Sequence, residues 1–157
     1  MRMKRTWNDN IAGILRDVFF PCEELKELLM IPEADRGNIQ VFADKYFIND
    51  PMGEEQLTDE KARVLYYATE ANAMGNPHVK QKLLAFDIFV RRSERYTASD
   101  DGLRGRDKMI VQVIQELLTD NRYVGNMRFT YEDDYELGTK VVGFIRHHIV
   151  FSYKTSF

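Results

Sequence analysis

The chain has 157 residues and a formal net charge of −3, and its 22 basic and 25 acidic residues are well mixed along the sequence. This length is typical of one domain of about 100–200 residues and predicts a single domain over 1–157. The mixed charge does not indicate nucleic acid as the main partner. Only the start, with Arg2, Lys4 and Arg5, is locally basic, and it is interpreted as a solvated tail.

Cys22 is the only cysteine of the chain. A lone cysteine excludes an intrachain disulfide and a cysteine-based zinc site, and it favours a reducing compartment. The start of the chain is polar, and no apolar run approaches the roughly 18–20 residues that span a bilayer. We therefore expect no signal peptide, no membrane helix and a soluble protein.

The N-terminal part has the apolar spacing of helices. Asn8 and Asp9 are suitable N-caps for a first helix that is expected to end at Phe20. Pro21 is tolerated in the first turn of a second helix, which Pro32 should stop. A short third helix is predicted over 38–48.

The segment 49–60 contains proline, glycine and five acidic residues, and it predicts a surface loop. Two β-rich runs follow at 63–69 and 82–92, and the second alternates with Leu84, Phe86, Ile88 and Val90 on one face. Turn-forming residues lie between the two runs. They therefore predict an antiparallel pair of strands.

The polar segment 96–102 ends in Ser99, Asp100 and Asp101, which are expected to cap a helix that includes Leu103 and ends near Asp120. Two further β-rich runs, 126–131 and 140–153, are separated by EDDYELGT, in which Gly138 should supply a turn. The fold class is therefore α+β: an antiparallel sheet of about four strands with helices packed on it.

The spacing of the three histidines does not indicate a metal site. His147 and His148 are adjacent in a predicted strand, so they should point to opposite faces and cannot readily bind one metal ion. His78 is far away in the sequence. We interpret the pair as side chains of a half-exposed sheet and predict no metal site.

The acidic run Glu132, Asp133, Asp134 and Glu136 has oxygen ligands suited to a divalent cation. Its spacing lacks the glycine and terminal glutamate of a calcium loop, so a solvated hairpin tip is favoured. In a ring of subunits, the same segment would form a circle of negative charge.

Asp87 lies within an apolar strand and invites comparison with a nuclease carboxylate. It falls opposite the Leu84–Val90 stripe, and no Glu-x-Lys element follows, so a solvent-facing or interface carboxylate is favoured. Cys22 is interpreted as a packing residue rather than a nucleophile. Phosphate-binding loops, GxSxG and HExxH are absent from the sequence.

Aromatic residues fall on both faces of several predicted strands, and they exceed what one helical layer would cover. We expect a neighbouring chain to cover the excess. These residues are Tyr66, Tyr67, Phe86, Phe89, Phe129, Tyr131, Phe144, Phe151 and Tyr153.

The C-terminal part contains FDIFVRRSERY, then DGLRGRDKMIVQVIQELL, then MRFTYEDDYELGTKVVGFIRHHIVFSY. These segments resemble the small tail terminator or neck proteins of long-tailed bacteriophages and related prophage elements. The resemblance extends from about Ile39 to Phe157 and is strongest after Ala85. It consists of a pattern of strands, helix and hairpin rather than a catalytic signature.

The resemblance implies an α+β subunit of a hexameric ring that caps the tail tube at its head-proximal end and joins it to the head connector. The implied partners are further copies of the chain, the tail tube protein and the connector protein, and DNA passes through the lumen without specific binding. The implied location is the virion after assembly in the host cytoplasm, with no cofactor and no catalytic residue.

The resemblance makes the acidic hairpin 132–136 and the loop 94–102 contact or lumen elements. The candidate interface or lumen residues are Glu132, Asp133, Asp134, Glu136, Asp87 and Arg91. Three alternatives stay open: an adaptor ring nearer the capsid, a small metal-dependent nuclease that uses Asp87, and a monomeric host-side binding module.

Overall fold

The fold was obtained as a computed structural model. It describes residues 13–49, 61–73, 76–99, 102–119 and 127–155. The predicted helix caps Asn8 and Asp9, the basic start and almost all of the predicted loop 49–60 lie outside the described residues.

The centre of the fold is a five-stranded mixed sheet. Its strands, in spatial order, are β1 (Phe47–Asn49), β2 (Arg63–Ala73), β3 (Asn76–Arg91), β7 (Phe144–Thr155) and β6 (Met127–Leu137). β1 runs parallel to β2, and the other neighbours are antiparallel. The predicted α+β class is confirmed.

The four predicted strands are present and form the two antiparallel pairs that were expected. The sheet also contains β1, although the sequence predicts Phe47 and Ile48 as the end of the short helix 38–48. Phe47 pairs with Val64 and is fully buried, whereas Ile48 packs on the other face of the sheet. Alternating burial over three residues is too short a pattern to be read from sequence.

The longer helical segments of the described residues contribute their apolar side chains to the main core on one face of the sheet. They are a π-helical turn Leu15–Phe19, α1 (Glu23–Leu28), α2 (Ile39–Val41) continuing as a π-helical turn Phe42–Tyr46, and α3 (Arg106–Thr119). Short 3₁₀ turns lie at Glu33–Asp35 and Arg92–Glu94. The predicted short helix within 38–48 is thereby confirmed.

The second helix ends earlier than Pro32. The N–H of Ile31 donates to the carbonyl of Lys26 at 3.0 Å, and the N–H of Met30 donates to that of Glu27 at 3.0 Å. Met30 has a φ of 57°. These features form a Schellman ending, which satisfies the last carbonyls of α1 before the proline is reached.

The predicted start of the long helix is wrong. The segment expected to cap it forms a hairpin of β4 (Tyr96–Ser99) and β5 (Gly102–Gly105), and α3 begins only at Arg106. The N–H of Arg106 donates to the carbonyl of Arg95, and its guanidinium donates to the carbonyls of Glu94 and Leu28. These tertiary contacts place the helix start at Arg106 and override the local capping signal of the preceding polar segment.

The main core lies between this helical layer and the sheet. Phe47 is central to it: its ring stacks on Phe19 and Phe42, with centroids 4.6 Å and 5.6 Å away, and meets the edge of Phe86. The predicted stripe Leu84–Val90 faces this core, as expected. Such buried aromatic contacts add to the stability that burial of their area provides.

The opposite face of the sheet carries a smaller apolar cluster of Leu65, Phe89 and Phe144, with Ile48 and Val141 packed against it. Phe89 and Phe144 are buried within the single chain. The expectation that a neighbouring chain must cover the aromatic residues of this face is therefore wrong for these two rings.

Candidate functional site

Strand β7 carries the two adjacent histidines to opposite faces of the sheet, as predicted. His147 lies on the face covered by the helices, and His148 lies on the other face. Neither is the half-exposed side chain that the sequence suggested. Each imidazole is enclosed and bonded to carboxylates, and His147 is only 5% exposed.

His147 lies between two carboxylates that come from different elements. Its Nδ1 is 3.1 Å from Oδ2 of Asp107, in the first turn of α3, and its Nε2 is 2.7 Å from Oδ1 of Asp134, on β6. Arg95 Nε lies 3.6 Å from Asp107 Oδ1, and Arg95 Nη2 lies 3.1 Å from Glu136. We call these five residues, Arg95, Asp107, Asp134, Glu136 and His147, the His147 cluster.

Burial and charge oppose each other in the His147 cluster. Burial alone would lower the pKa of His147, but hydrogen bonds and charges from Asp107 and Asp134 outweigh it and raise the pKa above its ordinary value. Burial alone would likewise raise the pKa of both aspartates. The bonds from His147, together with Arg95 for Asp107 and Tyr131 for Asp134, lower them instead.

Tyr131 extends the His147 cluster along β6. Its hydroxyl donates to Oδ2 of Asp134. That bond, together with burial and the charges of Asp134 and Asp133, raises the pKa of Tyr131 to about 12. The tyrosine is therefore a donor to Asp134 over the whole physiological pH range.

His148 belongs to a second cluster on the other face. Its Nδ1 is 2.6 Å from Oδ1 of Asp87, and Arg146 Nη2 is 3.0 Å from Oδ2 of the same carboxylate. His148 is the register partner of Asp87 on the neighbouring strand, and Arg146 is its diagonal neighbour. With Tyr67, which lies beside this pair on β2, these residues form the His148 cluster.

Asp87 is almost completely buried, with 2% of its surface exposed. Burial opposes its ionisation, but the hydrogen bonds from His148 and Arg146 outweigh burial and lower its pKa. The same environment acts on Tyr67, where burial and the charge of Asp87 raise the pKa to about 12. In the His148 cluster, the carboxylate of Asp87 is thus bound by Arg146 and His148, and the neutral phenol of Tyr67 lies beside it.

The prediction of a solvent-facing Asp87 is wrong, although the prediction that it lies opposite the core stripe is confirmed. Its two oxygens are bonded by Arg146 and His148, so they are not offered to a metal ion. Within the described ranges, no group of three or more Asp, Glu, His or Cys side chains has the geometry to hold a metal ion. This arrangement does not favour two-metal nuclease chemistry at Asp87.

The prediction that the acidic run forms a hairpin tip is wrong. β6 continues through Leu137, so Glu132, Asp133, Asp134 and Glu136 lie within the strand. The pairing with β7 shifts between Tyr131 and Asp133, which is a bulge. The bulge resets the alternation of side chains, and it directs Asp134 to the helical face, where His147 binds it.

The six candidate interface or lumen residues do not form one site. Asp134 and Glu136 belong to the His147 cluster, and Asp87 belongs to the His148 cluster. Glu132 and Asp133 are exposed on β6. Arg91 ends β3, where its Nη1 is 4.0 Å from Glu94.

The connection between β6 and β7 borders an open cleft of about 400 Å³. Its lining includes Arg92, Glu136, Leu137, Thr139, Val141 and Phe144. Gly143 in this connection has a φ of 82°, a conformation that L side chains rarely adopt. Gly143, rather than the predicted Gly138, therefore provides the left-handed turn residue.

Sequence patterns do not point to Arg95, Asp107 and Arg146 as site residues. They place Asp107 in the interior of a helix that starts too early, and Arg95 in a polar loop. Arg146 has a sequence signal, because a basic residue two positions from His148 shares its face of the strand. Its partner Asp87 is 59 residues away, and only the strand register shows the pairing.

No protein-family model matches this chain, and no curated protein matches it. Among the described residues, no helix has the length and apolar character needed to cross a bilayer. Cys22 is a free, partly buried cysteine beside the main core, consistent with a packing role.

Proposed function

We propose that the chain is a structural subunit that assembles with copies of itself into a ring at the head-proximal end of a long phage tail. The ring caps the tail tube, stops its polymerisation and joins it to the head connector. In this role the protein becomes part of the virion after assembly in the host cytoplasm.

One observation carries the proposal: the outermost described strand of the sheet, β6, is an acidic edge. Glu132, Asp133 and Glu136 are exposed along its second half, whereas the exposed charge of its first half is the basic Arg128. Side chains of one sign on an edge strand oppose direct edge-to-edge pairing of two identical strands. They also supply a surface that does not bind phosphate. Both properties suit a ring whose acidic strand faces a channel for DNA.

The electrostatic argument concerns sliding. Lysine and arginine contacts to phosphates release counterions and hold DNA in place. A lumen with Glu132 and Asp133 facing the axis would lack such contacts, so DNA would pass through it. The segment resemblance to tail terminator and neck proteins supports the same role.

The charged interior also favours a structural role over catalysis. Asp87 is bound by Arg146 and His148, and His147 is bound on both ring nitrogens by carboxylates. Side chains held in this way connect strands and helix to each other. They are not positioned to bind a substrate.

Electron microscopy of the purified protein, alone and mixed with tail tubes, tests the proposal. We expect six-fold rings that cap one end of each tube and limit further growth of the tube. Rings that bind the head connector but not the tube would assign the chain to the adaptor position. Monomers with no affinity for tubes or connectors would contradict the proposal.

A further inference from the structure

We propose that His147 links α3 to the acidic edge strand β6 only while its ring is doubly protonated, and we call this link the fastener. With both ring nitrogens protonated it holds Asp107 and Asp134 together, and on losing a proton it releases Asp134. His147 is in this account a positioning residue for β6.

The geometry requires a doubly protonated ring. His147 Nδ1 faces Asp107 Oδ2 at 3.1 Å, and Nε2 faces Asp134 Oδ1 at 2.7 Å. Ionised carboxylates only accept hydrogen bonds, so each ring nitrogen must donate one. Only the imidazolium form carries both N–H groups. A neutral ring leaves one nitrogen lone pair facing a carboxylate oxygen.

The burial of the two carboxylates decides which contact is lost. Asp107 is fully buried. Its Oδ1 has no hydrogen-bond partner among the described residues, and the nearest base is Arg95 Nε at 3.6 Å. Losing the bond to His147 as well would remove the only hydrogen bond from another side chain to this buried carboxylate among the described residues, which is costly. The remaining proton therefore stays on Nδ1.

Asp134 is the contact that can separate. Its side chain is 29% exposed, so water can replace His147 at Oδ1. Tyr131 continues to donate to Oδ2 of Asp134. Deprotonation of His147 thus breaks its link between Asp107 on α3 and Asp134 on β6, and it leaves the buried side of the cluster intact.

The other charged groups around His147 do not replace it. Arg95 binds Asp107 and Glu136, and its bond to Glu136 also reaches β6. The charge of Lys108 on α3 favours ionised Asp134. Both interactions persist when His147 loses its proton, so we expect β6 to loosen near Asp134 and not to detach.

The direction of the pH dependence follows from linkage. The pKa of His147 is raised in the folded chain, so its contribution to stability is complete below the ordinary value of 6.5. It is lost as pH rises through the folded value. The pKa values of Asp107 and Asp134 are lowered, so their contribution is lost as pH falls through those values. The fastener is therefore closed between the lowered pKa values of the two aspartates and the raised pKa of His147.

A consequence for assembly rests on the function proposed above. If β6 lines or contacts the ring, a loosened β6 weakens the ring, and ring formation should decline as the pH rises through the folded pKa of His147. The fastener itself is a property of the isolated chain, and it is measured without a ring.

The test measures stability and local protection of the full chain between about pH 5 and about pH 9. Unfolding free energy comes from urea denaturation. The protection factors of β6 amides come from hydrogen exchange corrected for the intrinsic rate at each pH. In the natural protein, we expect β6 protection to fall about tenfold across the folded pKa of His147, the loss of one charged hydrogen bond.

Two variants and one control make the test specific. His147→Gln should show no such fall. Asp134→Asn should keep protection at high pH, because its amide donates to the neutral ring nitrogen. His148→Gln is the matched control on the adjacent residue, and it should keep the full pH dependence of the natural protein.

The inference is overturned if the natural protein shows the same pH profile as His147→Gln, or if Asp134→Asn behaves like the natural protein. Should His147→Gln fail to fold, Asp134→Asn alone decides the question. A working fastener in a chain that forms no rings would contradict only the proposed function. Rings from a chain with a flat pH profile would contradict only the fastener.

Discussion

The His147 and His148 clusters contain adjacent histidines of one strand, yet the two residues face different numbers of acceptors. His148 faces one carboxylate, Asp87, which Arg146 also binds. His147 faces two carboxylates, Asp107 and Asp134. A neutral ring can still donate to one acceptor but not to two. The number of acceptors therefore sets how many N–H groups each ring needs: one for His148 and two for His147.

The largest expected loss of unfolding free energy is that of a substitution in the His148 cluster. Asp87 is the carboxylate that both Arg146 and His148 bind, so Asp87→Ala removes the shared partner of two enclosed bases. Breaking a buried pair in this way typically costs about 3–5 kcal/mol. Urea denaturation should show this loss of unfolding free energy. A loss no larger than that of an exposed control, Glu132→Ala, would contradict it.

The equivalent change in the other cluster should cost less. In Asp107→Ala, His147 keeps Asp134 and Arg95 keeps Glu136, so each base retains a carboxylate. We expect a loss of about 1.5–3 kcal/mol, the value of a hydrogen bond to a charged group. The same urea titration compares it with Asp87→Ala. An equal or larger loss for Asp107→Ala would reverse the order of the two clusters.

The sequence predicts on which face of the sheet the residues of the two clusters lie. Period-two alternation placed His147 and His148 on opposite faces, and it placed Asp87 opposite the core stripe. The burial of Asp87 was not available, because it depends on the register that sets His148 against it from 61 residues away. Alternation gives the face of a residue but not its cross-strand neighbour.

Acid should weaken both clusters in the same direction. The pKa values of Asp87, Asp107 and Asp134 are all lowered in the folded chain, so their stabilising effect is present above the ordinary value of 3.8. It is lost as pH falls through the folded values. Unfolding free energy between about pH 2 and about pH 5 should therefore rise with pH.

Asp87→Asn and Asp107→Asn should each reduce that slope, because each removes one group that binds its proton more tightly in the unfolded chain. Glu132→Gln, an exposed carboxylate for which no such cluster exists, is the control. A slope unchanged by both aspartate substitutions would show that these carboxylates do not carry the acid dependence.

The smallest effect on stability is expected on the exposed acidic edge outside both clusters. Replacing Glu132 and Asp133 together by lysine should change the unfolding free energy by about 0.5 kcal/mol or less. If these residues line a DNA channel, however, the variant ring should retain DNA, with an affinity that falls steeply with salt. Gel retardation at several salt concentrations measures this effect.

The control for the lysine variant is the same change in charge on the exposed side of α1, with Glu24→Lys and Glu27→Lys. It should form rings that release DNA as the natural protein does. Equal retention by the two variants would mean that β6 has no special position in the ring.

The composition of the acidic segment predicts a turn, but the structure shows a strand. EDDYELGT has the residues of a turn, yet β6 runs through it, because its pairing with β7 continues beyond the bulge to Leu137. The predicted helix start is wrong for a related reason. Arg106 donates hydrogen bonds to the carbonyls of Arg95, Glu94 and Leu28, and no local sequence pattern shows these contacts. In both places tertiary pairing overrides local propensity.

The central claim, that the chain works by assembling with its acidic edge strand toward a DNA channel, is tested most directly by cryo-electron microscopy of the ring bound to a tail tube. We expect a reconstruction in which Glu132 and Asp133 of each subunit face the axis. A ring with β6 on its outer rim would contradict the claim.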